Sequence, residues 1–145
     1  MLPDGTRIQA SSIFDRAEDD PSRDFGLYMD ARWEPSWPSD MIDWPDFGLP
    51  SDGRRAATQI RDAFLRARGG ETVEVGCLGG LGRTGAVLAC MTVLTGLDPP
   101  SAVAWVKQHY RPEALETADQ EQWVAWFSQW NQGSDAATGP SSRAS

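Results

Sequence analysis

The fold of this chain is decided by residues 73–85, which read V-E-V-G-C-L-G-G-L-G-R-T-G. A short apolar segment, typical of a strand, leads into a glycine-rich loop that begins at Cys77 and closes on Arg83, where a helix starts. The backbone N–H groups of such a loop and of a helix N-terminus together bind an anion. The same groups stabilise a thiolate, so we expect Cys77 to be a nucleophile held beside the bound anion.

The predicted anion site is continuous along the chain. Its glycines allow successive N–H groups to turn inward, and the planar guanidinium of its arginine grips two oxygens of one anion. The predicted anion-binding residues are Leu78, Gly79, Gly80, Leu81, Gly82 and Arg83.

Length and composition favour one α/β domain. With 145 residues, 40% of them hydrophobic, the chain is long enough for one ordinary core and too short for two. We expect a monomeric domain over residues 1–131 and a disordered tail over 132–145, because that tail lacks apolar anchors.

The net charge of −8 argues against binding to nucleic acid or to an anionic membrane surface. No apolar run approaches 18 residues and no signal peptide opens the chain, so we expect a cytoplasmic protein. Two cysteines and one histidine are too few for a disulfide framework or a structural zinc site, and we expect no metal and no cofactor. Cys90 should lie roughly 10 Å along the helix, too far for a disulfide to Cys77, and is best read as a core residue.

Residue patterns predict a mostly parallel sheet flanked by helices on both faces, with Cys77 at the carboxyl end of a strand. Alternating apolar residues predict a strand at Phe25–Asp30, and a further short strand or turn is predicted near Ile8. Helices are predicted from the N-cap Asp52 to about residue 67, over residues 84–94, after the N-cap Ser101, and after residue 117.

A second segment, residues 44–50, reads W-P-D-F-G-L-P and is called the acid loop below. Pro45, Gly48 and Pro50 impose a loop with stiff points and one hinge, and Asp46 lies at its centre. In isolation Asp46 is an ordinary turn residue. A carboxyl on such a loop also suits a general acid that protonates a leaving oxygen.

Together the two segments resemble the cysteine-dependent protein tyrosine and dual-specificity phosphatases, in a compact form. The stretch from Cys77 to Thr84 has the C-x5-R-[S/T] form of that family, and residues 44–50 match its W-P-D-x-G-x-P acid loop at every fixed position. The resemblance implies a phosphatase-like α/β fold, with the phosphate loop between a strand and a helix. It also implies phosphomonoester hydrolysis on a phosphorylated protein or peptide.

The resemblance implies one role for each matching residue. Cys77 attacks phosphorus to form a cysteinyl-phosphate, and Arg83 binds the phosphoryl oxygens. Asp46 protonates the leaving group and then takes a proton from the attacking water, while Thr84 donates a hydrogen bond to the departing thiolate.

Two positions depart from the family pattern. Gly76 stands where the family usually has a histidine that helps hold the loop, and Glu116 stands where a first water-orienting glutamine is usual. Gln120 matches the second glutamine of that pattern. It also completes a T-x-x-Q capping box with Thr117, so Gln120 caps a helix, positions water, or does both.

Other readings stay open at this stage. The fold could serve as a phosphoprotein-binding module without turnover, or as a sulfurtransferase or arsenate reductase built on a similar cysteine loop. Asp46 has an obvious task only when an alkoxide or phenoxide leaves, which favours the phosphatase. The phosphate loop contains no lysine or additional arginine, which favours substrates with one dominant phosphate. Arg54 and Arg55, just past the acid loop, form either an exposed polar face or a contact with an acidic or phosphorylated partner.

Overall fold

Within the described part of the chain, four parallel strands form one sheet in the order β1-β4-β2-β3. They are β1 (Ile8–Ser12), β2 (Phe25–Tyr28), β3 (Ser39–Met41) and β4 (Val73–Cys77). The structure is a computed structural model that describes residues 2–12, 24–29, 38–45, 49–77, 82–110, 112, 114–115 and 117–136. Strand β4 lies between β1 and β2, and side chains on both faces of β2 and β4 are buried. This arrangement confirms the predicted parallel α/β class.

The described residues also form four helices: α1 (Gly53–Arg68), α2 (Gly82–Leu94), α3 (Pro99–His109) and α4 (Ala118–Ala136). Helix α2 is buried nearly all round and packs against the other three, as its uniformly apolar sequence predicts. It begins at Gly82, two residues before the predicted start. Within the described part of the chain, no helix combines the length and the apolar character needed to cross a membrane.

The ends of α1 follow local sequence signals. The side chain of Asp52 accepts a hydrogen bond of 3.1 Å from the backbone N–H of Arg55, as expected of an N-cap worth about 1 kcal/mol. At the other end Gly69 caps the helix, and Gly70 takes a φ of +107°, which glycine adopts at little cost. Both predicted boundaries of this helix are confirmed.

The predicted N-cap of α3 was wrong. Asp98, not Ser101, caps the helix, because its carboxylate accepts the backbone N–H of Ser101 at 2.8 Å. That hydrogen bond also lowers the pKa of Asp98. Pro99 and Pro100 occupy the first helical positions. Backbone N–H groups have no partner within the helix at these positions, so proline loses no hydrogen bond there.

Only one of the two hydrogen bonds of the predicted capping box forms at the N-terminus of α4. The hydroxyl of Thr117 accepts the backbone N–H of Gln120 at 3.1 Å, but the Gln120 side chain does not return the bond. The helix continues to Ala136 and so includes the first five residues of the expected tail. Residues 137–145 lie outside the described part, and the division at residue 131 stays a prediction.

A buried pair joins the two central strands below the functional edge of the sheet. The hydroxyl of Tyr28 donates a hydrogen bond of 2.6 Å to Oε1 of Glu74, and neither side chain is exposed. The Tyr28 ring lies over Gly26, where an added β-carbon would come within 2.3 Å of ring carbons. Gly26 therefore makes room for the tyrosine that holds β2 to β4.

Candidate active site

The carboxyl edge of the sheet carries the residues singled out by the sequence. Cys77 is the last residue of β4 and pairs in register with Ser12, so a strand, a loop and then α2 follow one another as predicted. The side chain of Cys77 and residues 78–81 lie outside the described part, so the predicted phosphate contacts of Leu78, Gly79, Gly80 and Leu81 stay predictions. Parallel strands bring their carboxyl ends to one edge, where open α/β sheets bind ligands.

Arg83 lies in the first turn of α2, and its side chain is only 4% exposed. Its Nη1 donates hydrogen bonds to the carbonyl oxygens of Met29, at 2.8 Å, and of Trp44, at 2.9 Å. A charged donor on a carbonyl contributes about 1.5–3 kcal/mol, so the two bonds fix the guanidinium at this edge. Thr84 follows Arg83 and is fully buried.

The acid loop is anchored at both ends. The backbone N–H of Ser51 donates to the carbonyl of Asp43 at 2.9 Å, which closes the base of the loop. Trp44 is buried against Trp123 of α4, with ring centroids 5.3 Å apart. After the end of the loop, a β-carbon at Gly53 would lie 3.5 Å from Nε1 of the same Trp123. Trp44, at the start of the loop, and Gly53, three residues past its end, therefore both lie close to one indole ring.

Asp46 itself, with residues 47 and 48, lies outside the described part of the chain, and its role stays a prediction. The backbone just before it is well placed for that role. The carbonyl of Trp44, two residues earlier, accepts a hydrogen bond from the arginine proposed to hold the phosphate. The start of the acid loop is thus bonded directly to Arg83, the arginine of the predicted phosphate site.

Gln120 is fully buried, and neither its Oε1 nor its Nε2 has a hydrogen-bond partner within the described residues. An unsatisfied buried amide costs about 1–3 kcal/mol, so such a group needs an explanation beyond packing. Gln120 lies one turn before Trp123, and residues three apart share a helix face. The amide is therefore on the face of α4 that meets the acid loop. Glu116, the other expected position, is outside the described part.

The segment before α4 packs closely against the first turn of α2. A β-carbon at Gly85 would lie 2.6 Å from Cβ of Ala114 and 3.0 Å from the backbone nitrogen of Leu115. Leu115 has a φ of +58°, a left-handed conformation that costs a residue with a β-carbon roughly 1–2 kcal/mol. The glycine that follows Thr84 is thus required by close packing, which the sequence motif alone does not reveal.

The two cysteines differ in character. Cys90 is fully buried within α2, and burial raises the pKa of its thiol well above the ordinary value. A thiol held in the protonated form is a poor nucleophile. The prediction that Cys90 is a core residue is confirmed, which leaves Cys77 as the candidate nucleophile.

The structure places Arg83 and Thr84 in the first turn of α2, after the end of β4, and Gln120 in the first turn of α4. It adds three residues that sequence reasoning missed. Two of these, Met29 and Trp44, act through carbonyl oxygens, for which no sequence signal exists. The third is Trp123, which is buried in α4, and its contact with the acid loop is a tertiary feature.

A parallel strand that ends at a cysteine, followed by a helix whose buried arginine bonds carbonyls at the carboxyl edge of the sheet, is typical of the class of cysteine-dependent phosphatases. Known structures agree. Tk-PTP, in a crystal structure of its active form, superposes with a TM-score of 0.65 over 74% of this chain and 80% of its own, at 25% identity. Kinase-associated phosphatase, with its catalytic cysteine replaced by serine, gives 0.64 over 75% and 70% at 17% identity, which supports the fold alone.

Sequence comparison gives the family. Residues 49–130 match the family model described as Swiss Army Knife protein, DSP-PTPase phosphatase domain (PTP-SAK). The match covers more than half of the chain, which therefore belongs to this family. A relative from Methanocaldococcus jannaschii, the uncharacterized protein MJECL20, is 44% identical over 68% of this chain and 71% of its own length.

Proposed function

We propose that this protein removes phosphate from phosphorylated tyrosine, or from phosphotyrosine and phosphoserine or phosphothreonine alike, on protein or peptide substrates. The observation that carries the proposal is the buried Arg83, which is bonded to the carbonyl that precedes Pro45 and Asp46. One residue thereby connects the phosphate site to the loop that would supply the acid. Membership of a phosphatase family supports the same reaction class.

The proposed first step transfers the phosphoryl group to sulfur. The thiolate of Cys77 attacks phosphorus while the bond from phosphorus to the leaving oxygen breaks, and Asp46 gives its proton to that oxygen. Arg83, the loop N–H groups and the α2 N-terminus stabilise the charge on the transferring group. The products of this step are an alcohol or phenol and a cysteinyl-phosphate.

The proposed second step returns the enzyme to its starting state. Water attacks phosphorus, Asp46 takes its proton, and the bond from sulfur to phosphorus breaks to give inorganic phosphate and the Cys77 thiolate. Thr84 donates a hydrogen bond to the departing sulfur. We assign Gln120 to the positioning of this water, because its buried amide has no hydrogen-bond partner among the described residues and its side chain makes no capping bond.

A phosphopeptide panel tests the function. Peptides of one sequence that carry phosphotyrosine, phosphoserine or phosphothreonine are incubated with the protein, with Cys77→Ser as the blank, and released phosphate is measured. Turnover of phosphotyrosine alone or of all three supports the proposal and decides between its two forms. Binding of the peptides without phosphate release would instead favour a phosphoprotein-binding module.

Replacement of Trp123 by leucine should impair protonation of the leaving group more than the rest of the reaction. The loss of the indole removes the ring that lies close to Trp44 and Gly53, so the protonating carboxyl is held less well. We expect kcat/KM for phenyl phosphate to fall about tenfold. For dinitrophenyl phosphate, whose leaving group needs no proton, we expect a change within about twofold.

Trp130→Leu is the matched control for this variant. Trp130 lies on the same helix, about two turns after Trp123, and contacts Trp126, Phe127 and the guanidinium of Arg61. It should not change the ratio of the two rates. Equal losses on both substrates in Trp123→Leu would show that Trp123 contributes only to the stability of the fold.

A further inference from the structure

Helix α1 is basic in an acidic protein. It contains five of the 13 basic residues of the chain and a single acidic residue, so its net charge is +4 while that of the chain is −8. The five basic residues are Arg54, Arg55, Arg61, Arg66 and Arg68.

Three of these arginines contact other side chains. Arg66 forms an ion pair of 3.2 Å with Glu71. Arg61 and Arg68 lie over aromatic rings, at 4.7 Å and 5.7 Å from the ring centroids. Each of the three thus has a structural role at the helix surface.

Arg54 and Arg55, called the arginine pair below, are different. Both are exposed, and neither side chain forms an ion pair or a ring contact with a described residue. They occupy the first turn of α1, where the positive end of the helix dipole disfavours a cation. Two adjacent arginines that lower the stability of their own helix point to a role outside the fold.

The pair is connected to the proposed active site through neighbouring residues. It follows Gly53 directly, and a β-carbon at Gly53 would lie 3.5 Å from Nε1 of Trp123. That ring contacts Trp44, whose carbonyl accepts Arg83. Three contacts therefore link the helix turn that carries the pair to the arginine proposed to hold the phosphate.

We propose that the arginine pair binds acidic side chains that flank the phosphorylated residue of a substrate protein, an inference that rests on the proposed phosphatase function. Guanidinium groups bind carboxylates in a bidentate manner, and two neighbouring guanidinium groups suit a short acidic segment. The net charge of −8 disfavours a long polyanion such as nucleic acid, whereas a few carboxylates interact mainly with the nearest positive charges.

The test compares two phosphopeptides with the same phosphorylated residue, one flanked by glutamates and the other by glutamines. In the wild type we expect kcat/KM to be higher for the acidic peptide, mainly through a lower KM, and the difference to shrink with added salt. In Arg54→Ser/Arg55→Ser, kcat/KM for the acidic peptide should fall about tenfold. For the neutral peptide and for phenyl phosphate it should stay within about twofold.

Arg66→Ser/Arg68→Ser is the matched control, since it removes the same charge from the same helix roughly 18 Å along its axis. It should keep the preference for the acidic peptide, and thermal melting checks that both double variants are folded. An unchanged preference in Arg54→Ser/Arg55→Ser, or an equal loss in both double variants, would overturn the inference. Phenyl phosphate turnover separates this result from a failure of the proposed function, which would show as no turnover by the wild type.

Discussion

Cys77→Ser is expected to lower the turnover of phenyl phosphate by about 10⁴-fold or more, because a serine hydroxyl at the end of β4 is far less ionised than a thiol. The substitution changes one atom and should leave the fold intact. Turnover is followed by phosphate release under saturating substrate, and thermal melting confirms that the variant is folded. Residual activity within tenfold of the wild type would show that Cys77 is not the nucleophile.

Cys90→Ala is the control for this variant. Cys90 is fully buried in α2, and its raised pKa keeps the thiol protonated. We expect turnover within about twofold of the wild type, with a modest loss of stability from the smaller core side chain. In the wild type, iodoacetate should modify Cys77 and abolish activity while Cys90 remains unmodified, which peptide mapping can verify.

Asp46→Ala is expected to lower the turnover of phenyl phosphate by about 10²-fold or more, because the phenoxide then leaves without a proton. The effect should be small for dinitrophenyl phosphate, whose leaving group is stable as an anion. The wild-type pH profile for phenyl phosphate should fall at high pH as the acid loses its proton, and the variant should lack that limb.

Asp43→Ala is the matched control on the same segment. Its side chain is exposed, and it contributes to the loop through its backbone carbonyl, which alanine retains. Turnover should stay within about twofold of the wild type. Unchanged phenyl phosphate turnover in Asp46→Ala would show that the acid is another residue. It would also reopen sulfur or arsenate chemistry for the same cysteine loop.

The parts of the fold that the sequence predicted are those with local signals. Strand β4 and helix α2 follow from apolar runs on either side of a glycine-rich loop, and α1 follows from Asp52 and the Gly69–Gly70 stop. The order of the strands requires tertiary contacts, which one sequence does not supply. The error at Ser101 arose from two residues that both favour an N-cap, of which Asp98 was in register with the helix.

For the candidate site, the sequence likewise indicated which residues take part but not their contacts. Residue identities and motif spacing indicated Arg83, but its acceptors lie 54 and 39 residues away and are backbone carbonyls of Met29 and Trp44. The hydrogen bond between Arg83 and the start of the acid loop is therefore visible only in the structure. The sequence pattern allowed the Gln120 side chain to cap α4, but in the structure this side chain is buried and makes no capping bond.

The central claim is that catalysis passes through a phosphoryl group on Cys77, and trapping that intermediate tests it most directly. The enzyme is mixed with dinitrophenyl phosphate, quenched in acid within milliseconds, digested and analysed by mass spectrometry. The account predicts a burst of dinitrophenol that approaches one equivalent of enzyme, and a phosphoryl group on the peptide that contains Cys77. Turnover with no phosphorylated peptide at any quench time, or with the phosphoryl group on another residue such as His109, would contradict it.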